Sequence, residues 1–299
     1  MDMRKHVPPR LPGPATWLNL VCLDAPIVAV VWLCLFATTF HAPLRPGNAV
    51  ALFLTAWLIY LADRLADASS LKAGSPRSLR QQFCLRHREI WSSALLLIGA
   101  FDLYVIWRGL AAGAFFAGAA VGILALIYLA LNHPNGLIWH SLPAKEVAIG
   151  LLFTAGTMVA LLPAAAPVSG AFIACSLAFA CVCSLNCISI ARWERELDRA
   201  QGKISLATCH PRFVRHTGRI CAGLALGSLA MASIYRSGLP VFGCACASAV
   251  LLGWLNASAD LKEGRFQNRR SLGLNRDERT ALADLVLLTP LIPLIAMAL

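Results

Sequence analysis

Apolar residues in this chain fall into long blocks separated by short polar stretches. The blocks run to about 18–22 residues, the length of helix needed to cross roughly 30 Å of hydrocarbon. Nine are distinguishable, predicting helices over 16–38, 48–66, 91–107, 112–131, 144–163, 168–192, 217–235, 239–256 and 280–298. The gaps carry turn formers or charge: "HAPLRPGN", "RGLAAG", "NHPNG", "AAAPVSG" and "RSGLP". The alternating polarity of a barrel strand is missing, so helices must be the spanning element. The pattern predicts an all-α polytopic membrane protein, a single integral membrane domain over 1–299. No small-residue cleavage site follows the first block, which therefore reads as a permanent span and not as a signal peptide.

Composition agrees. The chain is 58% hydrophobic and 14% charged, with a mean hydropathy of +0.67, whereas soluble domains are nearer one quarter charged. A net charge of +11 raises the question of nucleic acid, but the distribution answers it. With the N-terminus placed in the cytoplasm, the inner segments are 1–15, 64–90, 132–145, 192–219 and 257–279. They hold 23 of the 26 lysines and arginines, leaving only Arg45, Arg108 and Arg236 outside. That asymmetry is the positive-inside signature of a protein in the cytoplasmic (inner) membrane, N-terminus inside. No nucleic-acid partner is implied. The eleven cysteines are odd in number and mostly sit in apolar blocks, where they act as small hydrophobes. "CVC" and "CAC" lack the ligand spacing of a zinc site.

Two acidic motifs stand out. "DRLAD" (63–67) closes the second block and "ERELD" (194–198) follows the sixth. Four crossings separate them, so both face the same side. Asp63 and Asp67 are four residues apart, on one helical face and about 6 Å apart along the axis. Glu194 and Asp198 repeat that spacing. Such pairs suit Mg²⁺, which takes a few carboxylates with waters and phosphate oxygens. The plainer reading pairs these acids with the neighbouring Arg64, Arg192 or Arg195. Two matched motifs on one side of a membrane bundle favour the functional reading.

With those motifs in place, the chain resembles the UbiA superfamily of intramembrane prenyltransferases, whose members have nine helices and two aspartate-rich motifs after the second and sixth. "ERELDRAQGKIS" is similar to the family's D-x-x-x-D-x-x-x-G-x-x-S, with Glu194, Asp198, Gly202 and Ser205 in register. The first motif, N-D-x-x-D-x-x-x-D in the family, is matched at Asp63 and Asp67, while Ile59 and Tyr60 replace its Asn and first Asp. The resemblance implies a bundle around a central cavity, with Asp63, Asp67, Glu194 and Asp198 as catalytic, Mg²⁺-binding residues. The implied partners are a polyprenyl diphosphate, a lipophilic, aromatic acceptor and membrane lipid.

Other polar residues fall near these motifs. Arg64, Arg86, Arg88, Lys145 and Arg195 are candidate diphosphate contacts, because arginine binds such oxygens through paired, charge-assisted bonds. Arg77, Arg80 and His87 lie with Arg86 and Arg88 in the same basic stretch and could clamp diphosphate too; for any one of the five, headgroup contact with the positive-inside bias is the plainer reading. Lys145 can also snorkel to the interface, and Glu146 is either its partner or a cavity residue. Asp24, Tyr60 and Asn186 are candidate cavity residues, Asp24 with an arginine as its expected partner. Asp102 and Asp284 are further acids inside predicted spans. One rival reading is a UbiA-like protein that binds or carries an isoprenoid lipid without catalysis; another, a transporter, predicts discontinuous helices in matching halves, a pattern the sequence does not clearly show.

Overall fold

The computed structural model describes residues 13–132, 145–161, 169–263 and 274–298. The basic N-terminal stretch 1–12, the "NHPNG" turn, most of "AAAPVSG" and the charged stretch 264–273 lie outside them.

The described chain is all-α. Its helices are α1 (Pro14–Leu20), α2 (Asp24–Thr39), α3 (Pro46–Ser69), α4 (Leu79–Arg86), α5 (Arg88–Gly109), α6 (Ala112–Asn132), α7 (Lys145–Val159) and α8 (Gly170–Gln201). Two single turns follow, α9 (Leu206–Cys209) and α10 (Pro211–Val214), then α11 (Thr217–Ile234), α12 (Leu239–Glu263), α13 (Arg276–Leu285) and α14 (Leu291–Ala298). Each of the nine predicted spans has a counterpart. Among the described residues, seven helical stretches are long and apolar enough to cross a membrane, or eight if α1 and α2 form one span.

The first predicted span is not continuous. α1 and α2 meet at 97°, and Cys22 sits at the break with φ 58°. Pro26 explains the position. It has no N–H to give the carbonyl four residues earlier, and its ring clashes with that carbonyl, which belongs to Cys22. Within the first turn of a new helix, Pro26 costs nothing. The last predicted span is also interrupted: a 3₁₀ turn, Val286–Leu288, separates α13 from α14 just before Pro290. Neighbouring helices take up the freed carbonyls, as a membrane interior requires. Ser248 Oγ donates to the Val286 carbonyl at 2.9 Å and Trp32 Nε1 to the Leu287 carbonyl at 2.8 Å.

α8 runs to Gln201, well past the predicted end at 192, and packs against α7, α11, α12 and α13. In its most apolar stretch 61% of residues are buried, against 11% in α5 and α6. α8 is therefore the axis of the bundle, while α5 and α6 turn large side chains such as Leu96, Trp107 and Phe116 outward. Around α8 Phe179, Trp32 stacks at 4.2 Å and Phe36 and Phe153 pack at an angle. α7 reaches α8 closely at Gly150: a methyl group there would meet Ser184 Oγ at 2.2 Å and the Ala180 carbonyl at 2.8 Å. Small residues at such a crossing let membrane helices approach. The approach sets Lys145 and Glu146, one turn earlier, against the charged end of α8.

Candidate functional site

The second acidic motif is built by the way α8 ends. Glu194 and Asp198 lie in its last turns, inside the helix and not beyond it. Gly202 stops the helix in the left-handed conformation, φ 70°. The Gly202 N–H bonds the Arg199 carbonyl at 3.1 Å and the Lys203 N–H bonds the Asp198 carbonyl at 2.8 Å, the paired bonds of a Schellman stop. Ser205 then caps α9, its hydroxyl accepting from Thr208 N–H at 3.3 Å. The glycine and serine of the motif thus shape the turn that aims Lys203 back over the bundle.

Lys203 reaches α3, where its ammonium ion-pairs with Asp67. Gln81 of α4 donates to the other Asp67 oxygen at 3.1 Å, and Gln201 donates to Gln81 Oε1 at 2.9 Å. Arg80, beside Gln81, ion-pairs with Glu194. α4, in a stretch read as a loop from the sequence, is fixed by a Ser78–Gln81 capping box. It ties the two motifs together. Asp63 and Asp198 make no direct ion pair among the described residues, yet Lys145 and Lys203 lie close enough to act on the charge of both. The two acidic pairs therefore share one electrostatic environment.

The remaining predicted residues divide. Arg64 donates to the Tyr60 hydroxyl and its guanidinium stands 4.6 Å from that ring. Tyr60 thus provides the partner of Arg64. Arg86 and Arg88 are exposed on the outer side of α4 and the start of α5. Arg195 is half-buried, whereas Arg192 binds Asp260 and Asn256 of α12. Glu146, 2% exposed, accepts the Leu206 N–H at 3.0 Å and so supports the turn after the motif. Asp24 and Asn186 meet away from this cluster, around Asp284: Asn19 donates to Asp24 at 2.6 Å, and Asn186 donates to Asp284 at 2.7 Å. The expected arginine partner of Asp24 is replaced by this asparagine. Asp102 accepts from Thr55 at 2.7 Å, joining α5 to α3. Gln81 and Gln201 were not read from the sequence, nor were two further contributors. Lys203 is aimed only by the Schellman stop. Tyr128 of α6 faces Asp63, Asp67, Glu146 and Cys187, and nothing in its apolar surroundings marks it.

Several buried polar atoms here have no hydrogen-bond partner among the described residues: Glu194 Oε1, Glu146 Oε2, Arg80 Nε and Nη1, Arg64 Nε and Arg195 Nε. Buried polar groups are normally satisfied, so both acceptors and donors remain available to a ligand. Among the described residues no three His, Cys, Asp or Glu side chains gather into a metal cage. The donors are nevertheless all carboxylate oxygens, and Mg²⁺ is commonly held by one or two carboxylates, with phosphate oxygens and water completing its shell. The residues fit that ion in kind, with Asp63 and Asp198 best placed to receive it. No family model, curated protein or solved structure matches the chain.

Proposed function

We propose that this chain is a UbiA-like membrane prenyltransferase that moves a polyprenyl group from its diphosphate to a lipophilic, aromatic acceptor, with Mg²⁺. The observation that carries the reading is the mixture of unused buried donors and acceptors where the two acidic motifs meet. A metal diphosphate needs both: cationic donors for its oxygens and carboxylates for its ion. In this reading Arg80, Arg195, Lys145 and Lys203 bind the diphosphate. Asp63 and Asp198 hold the ion, joined by Asp67 and Glu194 as their cationic partners turn to phosphate. Bound Mg²⁺ supplies positive charge to the diphosphate oxygens. The allylic C–O bond breaks with its electron pair leaving on diphosphate; the acceptor bonds to the allylic cation and gives up the proton it replaces, so that diphosphate, a proton and the prenylated acceptor are the products. The prenyl tail lies among the apolar helices, which keep water from that cation. The site faces the cytoplasm in an inner membrane, consistent with the 23 basic residues on its side.

A second reading is favoured by one observation. Asp67 and Glu194 are already neutralised by Lys203 and Arg80, and Tyr60 is engaged by Arg64. A site balanced in this way suits a protein that binds or carries an isoprenoid phosphate without turnover. Incubating the purified protein in lipid nanodiscs with a labelled polyprenyl diphosphate and Mg²⁺ separates the two. Diphosphate release and a prenylated aromatic product support the transferase. Tight binding with the diphosphate intact supports the carrier. Failure to bind in either form overturns both.

A further inference from the structure

The sharp bend in the first span and the 3₁₀ turn in the last lie beside two neighbouring carboxyl groups. Asp24 opens α2 immediately after the first break, and Asp284 lies in the last turn of α13 just before the second. The amide nitrogen of Asn19 donates to both, at 2.6 Å to Asp24 and 3.2 Å to Asp284, so one amide holds the two carboxyls side by side. Asp24 is 3% exposed, Asn19 and Asn186 each 6%, and Asp284 is half-buried. Asn186 lies against the pair through its bond to Asp284, and its Oδ1 has no hydrogen-bond partner among the described residues.

The charge balance is incomplete. The charged and titratable groups facing the pair are Cys22, Tyr60 and Arg64 from the first break and α3, and Cys183 and Cys187 from α8. Among the described residues Arg64 is the one cation in this set, and it acts on Asp284. Among the described residues, two carboxylates bridged by one amide against one guanidinium leave a net negative charge in a medium where an uncompensated ion is very costly. All four carboxyl oxygens already accept an N–H, from Ala25 and Asn19 at Asp24 and from Asn186 and Asn19 at Asp284, which argues against a metal cation here.

We propose that Asp24 and Asp284 form a proton-binding site, one exchangeable proton being shared between the two carboxyls. Arg64 also lies beside Asp63 and Asp67. Loss of that proton would draw its charge towards the pair and away from the acidic site, so proton binding and ligand binding are linked. The proton site rests on the geometry of the pair and not on the prenyltransferase reading.

Infrared spectroscopy of the full-length protein in nanodiscs tests this. At neutral pH the wild type is expected to show the carbonyl stretch of a protonated, buried carboxylic acid above the amide I region, shifting in D₂O. Asp24→Asn and Asp284→Asn should each abolish it while leaving circular dichroism and elution volume unchanged, because the amide mimics the neutral acid. Absence of the band from the wild type, or its survival in both variants, overturns the proposal. So does a band lost only in Asp102→Asn, which would belong to the α5 carboxyl. A rise in melting temperature with sodium over choline, absent from the Asn variants, would assign the site to a metal cation instead.

Discussion

Lys203, two residues beyond the end of α8, forms an ion pair with Asp67 of α3. That bond closes one acidic motif onto the other, and several consequences can be measured.

Lys203→Met removes the bond and leaves Asp67 facing Gln81 alone. A charge-assisted hydrogen bond contributes about 1.5–3 kcal/mol, so affinity for a prenyl diphosphate analogue should fall roughly ten- to a hundredfold. Lys203→Arg should retain most of it. Calorimetry in the presence of Mg²⁺ reads both. An unchanged affinity for the Met variant would mean that Lys203 is a surface tie with no part in the site.

Gly202→Ala forces a side chain into the left-handed stop at φ 70°. The cost is about 1 kcal/mol, enough to lower the melting temperature by a few degrees. Lys203 should also lose its aim, so the ligand-dependent rise in melting temperature shrinks. Gly202→Asn, which tolerates this conformation, is expected to be milder on both measures.

Gly150→Ala places a methyl against Ser184 Oγ and the Ala180 carbonyl. Overpacking of this kind costs typically 1–3 kcal/mol. The structure has little room to give, because two of the three nearest atoms are backbone. Thermal unfolding in detergent should show the loss. Gly223→Ala, which meets no neighbour within 4 Å, serves as the control and should be neutral or slightly stabilising.

The helices were legible in the sequence because hydrocarbon thickness dictates block length, and all nine blocks have counterparts. Their ends were less so. α8 continues to Gln201 because charged residues such as Arg192 and Glu194 stay helical when α12 and α4 supply partners; by hydropathy alone they look like loop. The breaks at Cys22 and Val286–Leu288 were marked by Pro26 and Pro290, yet each proline sits in a run apolar enough to hide a discontinuity. Within the site, the spacing of Asp63 with Asp67 and of Glu194 with Asp198 was visible. Their partners were not. Arg80 was one of five interchangeable basic residues until α4 formed, and Lys203 depends on a backbone turn. The Asp24–Asp284 pairing spans nearly the whole chain, so no local pattern announced it.

Tyr60→Phe removes the hydroxyl that Arg64 binds but keeps the ring beneath the guanidinium. The freed guanidinium then turns to Asp63 or to the Asp24–Asp284 pair. Stability should drop by about 1–3 kcal/mol, the usual cost of a buried polar group left without its partner. Tyr60→Asp supplies the carboxylate of the family pattern and should strengthen Mg²⁺-dependent binding of the analogue. If it weakens binding, the Arg64–Tyr60 contact is itself part of the site.

The central claim is that acids from α3 and α8 act on one ligand, and a double-mutant cycle tests it most directly. Binding of a non-reactive prenyl diphosphate analogue at fixed Mg²⁺ would be measured by calorimetry for wild type, Asp63→Asn, Asp198→Asn and the double variant. Each single change should weaken binding at least tenfold, and the double change should cost clearly less than the two together, with a coupling of about 0.5–3 kcal/mol between residues that share a ligand. Unchanged affinity in both single variants would contradict the account and leave the acidic motifs as salt-bridge ties between helices.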